Sequence, residues 1–596
     1  MLFAKQALII SSAAAALFAG SNLIDGNVIP SSGTATIASA QIVGEQSGPA
    51  GQIRPGSVAA LIEAALLSST PATPQVSDAD TATSPMHEAY AIRVFDPIWS
   101  RRGARDFQAY LRDAEARGLN IDPTLSIRVD LAVNQISSRD PHERANADLL
   151  LSRVFVALAD HMRNGPFNDS PGLTDQVEQV DPEPLHTELA YAGDGRFDYA
   201  ALDPAHDEYD ALLEARTLYV DYAQSGGFTP VPQIDGALER GDVDPVIETV
   251  RLRLAEEGFT ANTGGGMFVM AAISQDKENT PDPDDTDISP ASHRFDERFE
   301  AALIDFQEHN GLEPDGVLGP NTIDALNVTA AEKVARIDAN LERWRWMPAD
   351  FGDHHVRVNI PSFRVEGYEN GRETIEMRTI VGLPGRATPV FSDTIEYIVA
   401  NPQWYVPESI LARDKLDDIQ ADPGYVSSHG YYVLDRNTGE QVDAYDVDWS
   451  APGVVDNYRL VQRASEDNAL GPVKIMFPNE HAVYLHGTPS DSLFEHGIRA
   501  FSSGCIRLER PEDMARWVSR VGQIENGSET LNSAWANGQS AQVELERPIP
   551  VYILYYTVEV NDEGEVMFLR DIYDRDPALM TALNEWELTL PINSES

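Results

Sequence analysis

The chain has 596 residues, of which 95 are Asp or Glu and 44 are Lys or Arg, a formal net charge of -51 at pH 7. That length and a hydrophobic fraction of 42% fit several globular domains with a sizeable core, and the charge excludes a surface suited to nucleic acid or anionic lipid headgroups. A single cysteine excludes an intrachain disulfide and leaves a spare thiol, an intermolecular link or a reactive group.

Residues 1–25 read as an export signal: Lys5 gives a positive start, and an Ala-rich apolar run from Ala7 to Gly20 is too short to span a bilayer comfortably. Leu17-Phe18-Ala19-Gly20 and the more distant Ala38-Ser39-Ala40 both fit a cleavage site, with an uncleaved tether as the alternative. Residues 26–88, rich in Ser, Ala, Thr, Gly and Pro, read as a flexible tether holding one short helix around Val58 to Leu67. Residues 89–237 read as a helical scaffold. Phe107, Tyr110, Leu111 and Ala114 recur at the spacing of one helix face, and Leu149, Leu150, Val154, Val156 and Leu158 form a second apolar run.

Residues 238–329 form a second helical unit. One helix carries Val246, Val250, Leu252 and Leu254 and ends at Gly258; another carries Phe299, Ala302, Leu303, Phe306 and Gln307. Between them lies an insertion, 260–293, whose acidic run Asp282 to Asp287 lacks EF-hand spacing and reads as a solvated loop. After Phe306-Gln307 come Gly311-Leu312, then Asp315-Gly316-Val317-Leu318-Gly319-Pro320-Asn321-Thr322: a helix stop, a turn and a new helix start. This pattern resembles the small three-helix peptidoglycan-binding domain of wall enzymes, and implies either glycan or stem-peptide binding or a bracing role.

A helical connector, 330–354, precedes a change of rhythm. His355 to Ile360, Thr374 to Val381 and Ile395 to Val399 alternate with period two, with Glu369-Asn370-Gly371 as a turn. The β-rich domain that begins here is expected to run over 355–571, with a tail at 572–596. An insertion at 404–458, with a helix at Ile410 to Ile419 and an aromatic cluster of Tyr425, Tyr431 and Tyr432, has the position of a lid.

The chemistry concentrates in Val473 to Val518. Val473 to Phe477 and Ala482 to His486 read as two strands joined by a tight turn, and a helix begins near Pro511. Cys505 follows nineteen positions after His486 on a separate element, so the intervening loop is able to bring thiol and imidazole together. Gly504 lets substrate approach the backbone, which makes the amides of Gly504 and Cys505 candidate oxyanion donors. Arg507 is placed to hold a substrate carboxylate or to favour the thiolate. From His486 to Arg510 three basic residues balance three acidic ones, a neutral window in an acidic chain. His481, His486 and His496 show neither HExxH nor comparable spacing, so no metal or cofactor is called for.

His486-Gly487 followed by Ser503-Gly504-Cys505-Ile506-Arg507 resembles the signature of L,D-transpeptidase catalytic domains. Asn401-Pro402-Gln403-Trp404-Tyr405-Val406-Pro407, Gly382-x-x-x-Arg386-x-Thr388-Pro389 and Ala500-Phe501-Ser502-Ser503-Gly504-Cys505 resemble the large, lid-bearing branch. The resemblance implies a multidomain α+β protein of the periplasm: scaffold, peptidoglycan-binding domain and β-rich catalytic domain with an inserted lid. It implies Cys505 as nucleophile and His486 as base, oriented by a backbone carbonyl, with Ser502, Ser503, Tyr484 and Arg507 near the substrate. The reaction implied is attack on the third residue of a tetrapeptide stem, release of D-Ala, and capture of the thioester by the side-chain amine of a neighbouring stem in a 3-3 cross-link. The partners implied are peptidoglycan stem peptides and other wall-synthesis enzymes, with no nucleic acid. Water as acceptor, giving an L,D-carboxypeptidase or endopeptidase, lipoprotein attachment through the same acyl-enzyme, and a non-catalytic wall-binding protein are the alternatives.

Overall fold

The computed structural model describes residues 54–68, 84–167, 185–259, 293–561 and 563–588. The expected export signal, most of the tether and the insertion with its acidic run lie outside them.

The helix Val58–Ser68 forms, and its Ile62 is fully buried in the scaffold core, so this piece of the expected tether belongs to the scaffold. The scaffold helices Pro123–Gln135 and Pro141–Asn164 start alike: an Asp side chain accepts an amide of the first turn and Pro takes an early position that needs no donor. Phe107, Tyr110, Leu111 and Ala114 are buried as one face. Asp148, a carboxylate sunk in this core, accepts the Tyr90 hydroxyl at 2.6 Å and the amides of Ile98 and Trp99 at 3.0 Å.

In the second unit the helices Val246–Glu256, Glu297–His309 and Pro320–Leu326 share a core of Val250, Leu254, Phe299, Phe306 and Ile323. Leu252 of the first of these helices is 59% exposed, because it falls between the rows occupied by Val250 and Leu254. Gln307 is buried and donates to Asp315, the Val317 carbonyl and Thr322, while its own carbonyl accepts the Gly316 amide. The motif residues thus hold the turn together.

The strands begin at β1 (His354–Asn359), β2 (Arg364–Glu369), β3 (Arg372–Gly382) and β4 (Phe391–Ala400). Asn370 and Gly371, both with positive φ, make the tight turn from β2 to β3. The inserted segment builds its own four-stranded sheet from β5 (Trp404–Tyr405), β6 (Tyr431–Asp435), β7 (Gln441–Val442) and β8 (Tyr458–Gln462), in the order β5-β8-β6-β7. Short helices cover one face of it around Leu411, Ile419, Trp449 and Leu460. The expected helix at 410–419 is a π-turn, Leu411–Lys415, between short α-helical pieces. The chain then returns through β9 (Val473–Met476), β10 (Leu485–His486), β11 (Ala500–Ser502), β12 (Ile506–Leu508) and β13 (Ala541–Leu554).

The nine-stranded order is β11-β3-β12-β10-β9-β4-β13-β1-β2, and β2 also pairs with β3, so the sheet closes on itself. Closure removes edges that would otherwise pair with another chain. The long β3 makes it work: Arg372 to Arg378 pair with β2, and Thr379 and Ile380 pair with β12. The strand expected over Ala482 to His486 is reduced to its last two residues. The Asn479 side chain ties back to the Phe477 and Val483 carbonyls and the Val483 amide, and Ala482 has φ +55°, which bends the segment out of the ladder.

The expected C-terminal tail is instead a helix, Asp576–Glu585, after the hairpin β14 (Val558–Val560) and β15 (Val566–Phe568). Its Leu579 packs with Trp344, Tyr556 and Phe568. Leu588 pairs with Ile121 of the scaffold. The connector helix Ala330–Arg345, opened by a Thr329/Glu332 capping box, runs through this junction.

Candidate active site

Three neighbouring strands present the candidate residues on one face. His486 of β10 is in register with Lys474 of β9 on one side and Arg507 of β12 on the other. One step back, the Ile506 amide donates to the Tyr484 carbonyl at 3.2 Å, which sets Tyr484 beside Cys505. Since side chains alternate across a strand, Tyr484 shares a face with His486, and Cys505 with Arg507. The structure therefore gathers Cys505, His486, Tyr484 and Arg507, and adds Lys474, whose Nζ lies 4.0 Å from the centre of the Tyr484 ring.

The Cys505 thiol is half-buried and donates to the Ala482 carbonyl at 3.8 Å. Burial pushes it up from its ordinary range, against the Tyr484 amide and hydroxyl, Lys474 and Arg507, all of which favour the thiolate. Tyr484 itself is held well above its usual range, by burial first and then by Cys505, so its hydroxyl stays a donor. His486 is 5% exposed, and its Nδ1 lies 2.5 Å from the Gly487 carbonyl. That contact makes Nδ1 the protonated nitrogen and leaves Nε2 with a lone pair. Burial, with Arg507 and then Lys474 adding to it, pushes the imidazole down to about 3, against the carbonyls of Gly487 and Leu470. Both shifts favour the uncharged forms, a thiol and an imidazole on the same face of the sheet, over an ion pair.

The turn before Cys505 is tightly built. The Ser502 hydroxyl donates to the Cys505 carbonyl at 2.5 Å and accepts the Gly504 amide at 3.1 Å. Ser502, expected near the substrate, is 1% exposed and holds this turn instead. The Gly504 amide, expected as an oxyanion donor, is engaged by Ser502. The Cys505 amide has no acceptor among the described residues and remains a candidate for that role, with the Tyr484 hydroxyl as a second candidate donor beside the sulfur. Gly504 sits at φ +117°, a region closed to side chains, with the Arg386 and Ala387 carbonyls 3.8 Å from where a Cβ would point. Thr388 donates to the Gly504 carbonyl and accepts the Gly382 amide, each at 2.9 Å. A Cβ on Gly382 would lie 2.2 Å from the Arg386 carbonyl, so the Gly382-x-x-x-Arg386-x-Thr388 segment needs its glycine to cradle the cysteine turn.

Ser503, exposed, accepts from Arg386 at 2.9 Å, and Arg386 makes a two-pronged ion pair with Asp414, both bonds 2.8 Å. Asp414 lies in the π-turn of the inserted subdomain. Trp404 of β5 also lies near enough to Tyr484 to favour its ionised form against burial. The insertion is thus latched to the Cys505 turn through Arg386, with Trp404 approaching Tyr484 as a second contact. Arg386→Gln removes the stronger; a partly exposed, two-pronged pair contributes about 1 kcal/mol. Amide hydrogen exchange across 404–462 is expected to rise about fivefold in that variant while the barrel strands keep their protection.

Lys474, Trp404, Arg386, Asp414 and Thr388 were not assigned roles from the sequence. Lys474 carried a signal, a lone charge in an otherwise apolar strand, and Arg386, Thr388 and Trp404 stand in the motifs noted above; the pairing of Arg386 with Asp414 carried none, because the two meet only through tertiary packing. The second unit also reaches this region: Glu313, in its signature turn, accepts the Gly497 amide of the 488–499 loop at 3.1 Å. A cleft of about 610 Å³ between Thr374 and Trp517 holds none of the residues gathered at the thiol. Among the described residues no group of three or more His, Cys, Asp or Glu is placed to hold a metal ion.

Residues 353–543 match a family model described as "L,D-transpeptidase catalytic domain", residues 84–215 a "Scaffold domain", and residues 283–326 a "Putative peptidoglycan binding domain". A Haemophilus influenzae protein named "Putative L,D-transpeptidase" is 35% identical over 295 residues, 48% of this chain and 58% of that protein. The chain thus spans a little over half the length of that relative. Among solved structures, an L,D-transpeptidase from Mycobacterium smegmatis is 16% identical, covering 34% of this chain and 58% of the other, with a TM-score of 0.16. The L,D-transpeptidase (residues 123–326) from Xylanimonas cellulosilytica is 14% identical, covering 54% of this chain and all of the other, with a TM-score of 0.14. In chain order, the protein carries a scaffold domain, a peptidoglycan-binding domain and an L,D-transpeptidase catalytic domain of mixed α+β structure.

Proposed function

We propose that this protein is a periplasmic L,D-transpeptidase that forms 3-3 cross-links between peptidoglycan stems through a thioester on Cys505. The observation that carries this reading is that Cys505 and His486, on adjacent chain segments, face the same side of the sheet, with His486 Nδ1 held by the Gly487 carbonyl and the Cys505 amide unengaged among the described residues. His486 Nε2 takes the thiol proton as sulfur attacks the carbonyl of the third stem residue. The Cys505 amide and Tyr484 hydroxyl receive the oxyanion. The intermediate collapses, the departing D-Ala amine takes the proton from His486, and a thioester remains. The side-chain amine of a second stem then attacks, His486 accepts its proton, and the sulfur leaves. Trp404 and the latched subdomain shield the thioester from water.

Incubating the purified chain with disaccharide-tetrapeptide and resolving the products by mass tests this. A dimer lighter than two substrates by two D-Ala is not expected; the expected product has lost one D-Ala and one bond has formed between stems. Loss of D-Ala with no dimer makes water the acceptor and sinks the cross-linking reading. The same products from Cys505→Ala protein would sink the thioester.

A further inference from the structure

A chain of hydrogen bonds ends on the peptide group that carries the candidate oxyanion donor. The Gly504 amide and the Cys505 carbonyl are engaged by Ser502, and the Gly504 carbonyl accepts the Thr388 hydroxyl at 2.9 Å, its one partner among the described residues. The Cys505 amide is left without an acceptor. It shares a planar, trans peptide group with the Gly504 carbonyl, so the two point in opposite directions. Thr388 is 2% exposed and held from behind. Its hydroxyl accepts the Gly382 amide at 2.9 Å, so its one proton is aimed at Gly504. Its own amide donates to the Tyr573 hydroxyl at 3.1 Å, and that hydroxyl donates on to the Gly382 carbonyl at 2.6 Å. Tyr573 is placed in turn by Tyr555: its amide donates to the Tyr555 hydroxyl at 2.8 Å, and the two rings stack with centres 5.6 Å apart. The Tyr555 hydroxyl donates to Asp571 at 2.5 Å. Tyr555, Asp571 and Tyr573 all lie beyond residues 353–543, which match the catalytic-domain model.

Resting on the transpeptidase reading above, we propose that Thr388 is a positioning residue for the oxyanion step, with Tyr573 as its anchor: the Thr388 hydroxyl sets the rotation of the Gly504–Cys505 peptide, and so the direction in which the Cys505 N–H meets the oxygen of the attacked carbonyl. Donation to the Gly504 carbonyl also polarises the shared amide group and strengthens its N–H as a donor. Without that bond a peptide flanked by glycine has freedom to rotate. The amide would then have to be oriented anew at each attack, which is the reorganisation a fixed donor avoids. A misplacement of ~1 Å at such a group costs up to about 10²-fold in rate. By this route the C-terminal segment, beyond its packing against scaffold and connector, forms part of the frame of the site.

The test follows Cys505 of the full chain by intact mass with two reagents: a tetrapeptide stem, whose carbonyl becomes an oxyanion on attack, and iodoacetamide, which loses iodide from a saturated carbon and forms none. Thr388→Val keeps the shape of the side chain and removes the hydroxyl. It is expected to slow acylation by the stem about 10–100-fold, in kcat rather than KM, while alkylation stays within about twofold of wild type. Thr388→Ser should restore most of the acylation rate. Tyr573→Phe should show the same pattern at smaller size and add little to Thr388→Val, because the two act through one bond. Acylation at the wild-type rate in Thr388→Val overturns the proposal. So does a fall of acylation and alkylation in equal proportion, which makes Thr388 a support of the thiol or of the fold. Thermal melts identify any variant that fails to fold; should Thr388→Val be one, Tyr573→Phe decides by the same two rates. Wild type that alkylates but gives no adduct with the stem overturns the transpeptidase reading itself, and the positioning role with it.

Discussion

Cys505→Ala is expected to abolish acyl-enzyme formation, and His486→Gln to slow it by about 10²–10⁴-fold, the range a positioned general base contributes. The asymmetry follows from the resting protonation. Burial keeps the Cys505 thiol protonated through neutral pH, so without a base only the rare thiolate reacts. In wild type the base stays available far into acid, because burial and the flanking Arg507 hold His486 down to about 3. Acylation at pH 5 should therefore be undiminished by imidazole protonation, whereas a histidine at its ordinary 6.5 would be mostly charged there. Iodoacetamide should react ever faster as pH rises past the usual thiol range, with no acid plateau of the kind a thiolate–imidazolium pair gives. The same depression acts on stability. Between pH 6.5 and about 3 the unfolded chain binds a proton at His486 that the folded chain refuses, so stability present above that window is lost as pH falls through it. His486→Gln should lose less stability across this window, which shows by acid titration that the slow variant is folded.

That Cys505 and His486 come to one face was legible because both lie in a short, contiguous stretch whose local pattern, a strand end and a glycine before the cysteine, constrains geometry directly. Arg507 was legible for the same reason, two residues along an extended segment. What surrounds them was not. Ser502 looks like a substrate contact in the sequence and is a turn lock in the fold, because a hydroxyl three residues from a carbonyl can close on it or face outward with equal ease. Gly504 was read as donating its amide to substrate, yet its more local partner took that amide. The barrel closure depends on one long strand changing partner midway at Thr379, which no period-two pattern encodes. The C-terminal helix failed for another reason: its apolar residues, Leu579 and Met580 among them, find their partners in the scaffold and connector, hundreds of positions upstream.

That long-range junction supports the other large effect. Glu257→Gln is expected to destabilise the protein by about 3–5 kcal/mol, the cost of removing one partner from a buried ion network. Glu257 is 1% exposed at its side chain and is held below its usual range despite burial, because Lys333 and then Arg253 outweigh the loss of solvent. It pairs with Arg253 at 2.7 Å, receives the Tyr219 hydroxyl at 3.0 Å and contacts Lys333. Those partners come from different units: Tyr219 from the last scaffold helix, Arg253 from the peptidoglycan-binding unit and Lys333 from the connector, with Phe568 of β15 packed 4.5 Å from the Lys333 ammonium. Gln at 257 leaves two buried cations facing one neutral amide. A chain of this size need not unfold in two states, so the readout is the lowest-temperature transition in calorimetry together with hydrogen exchange in 246–257 and 330–345. Adding Lys333→Met should recover part of the loss, since it removes one of the stranded charges and keeps the volume that packs against Phe568. If Glu257→Gln leaves the transition where it was, the network contributes no more than a surface pair, and apolar burial by Tyr219, Phe306 and Phe568 alone holds the three units together.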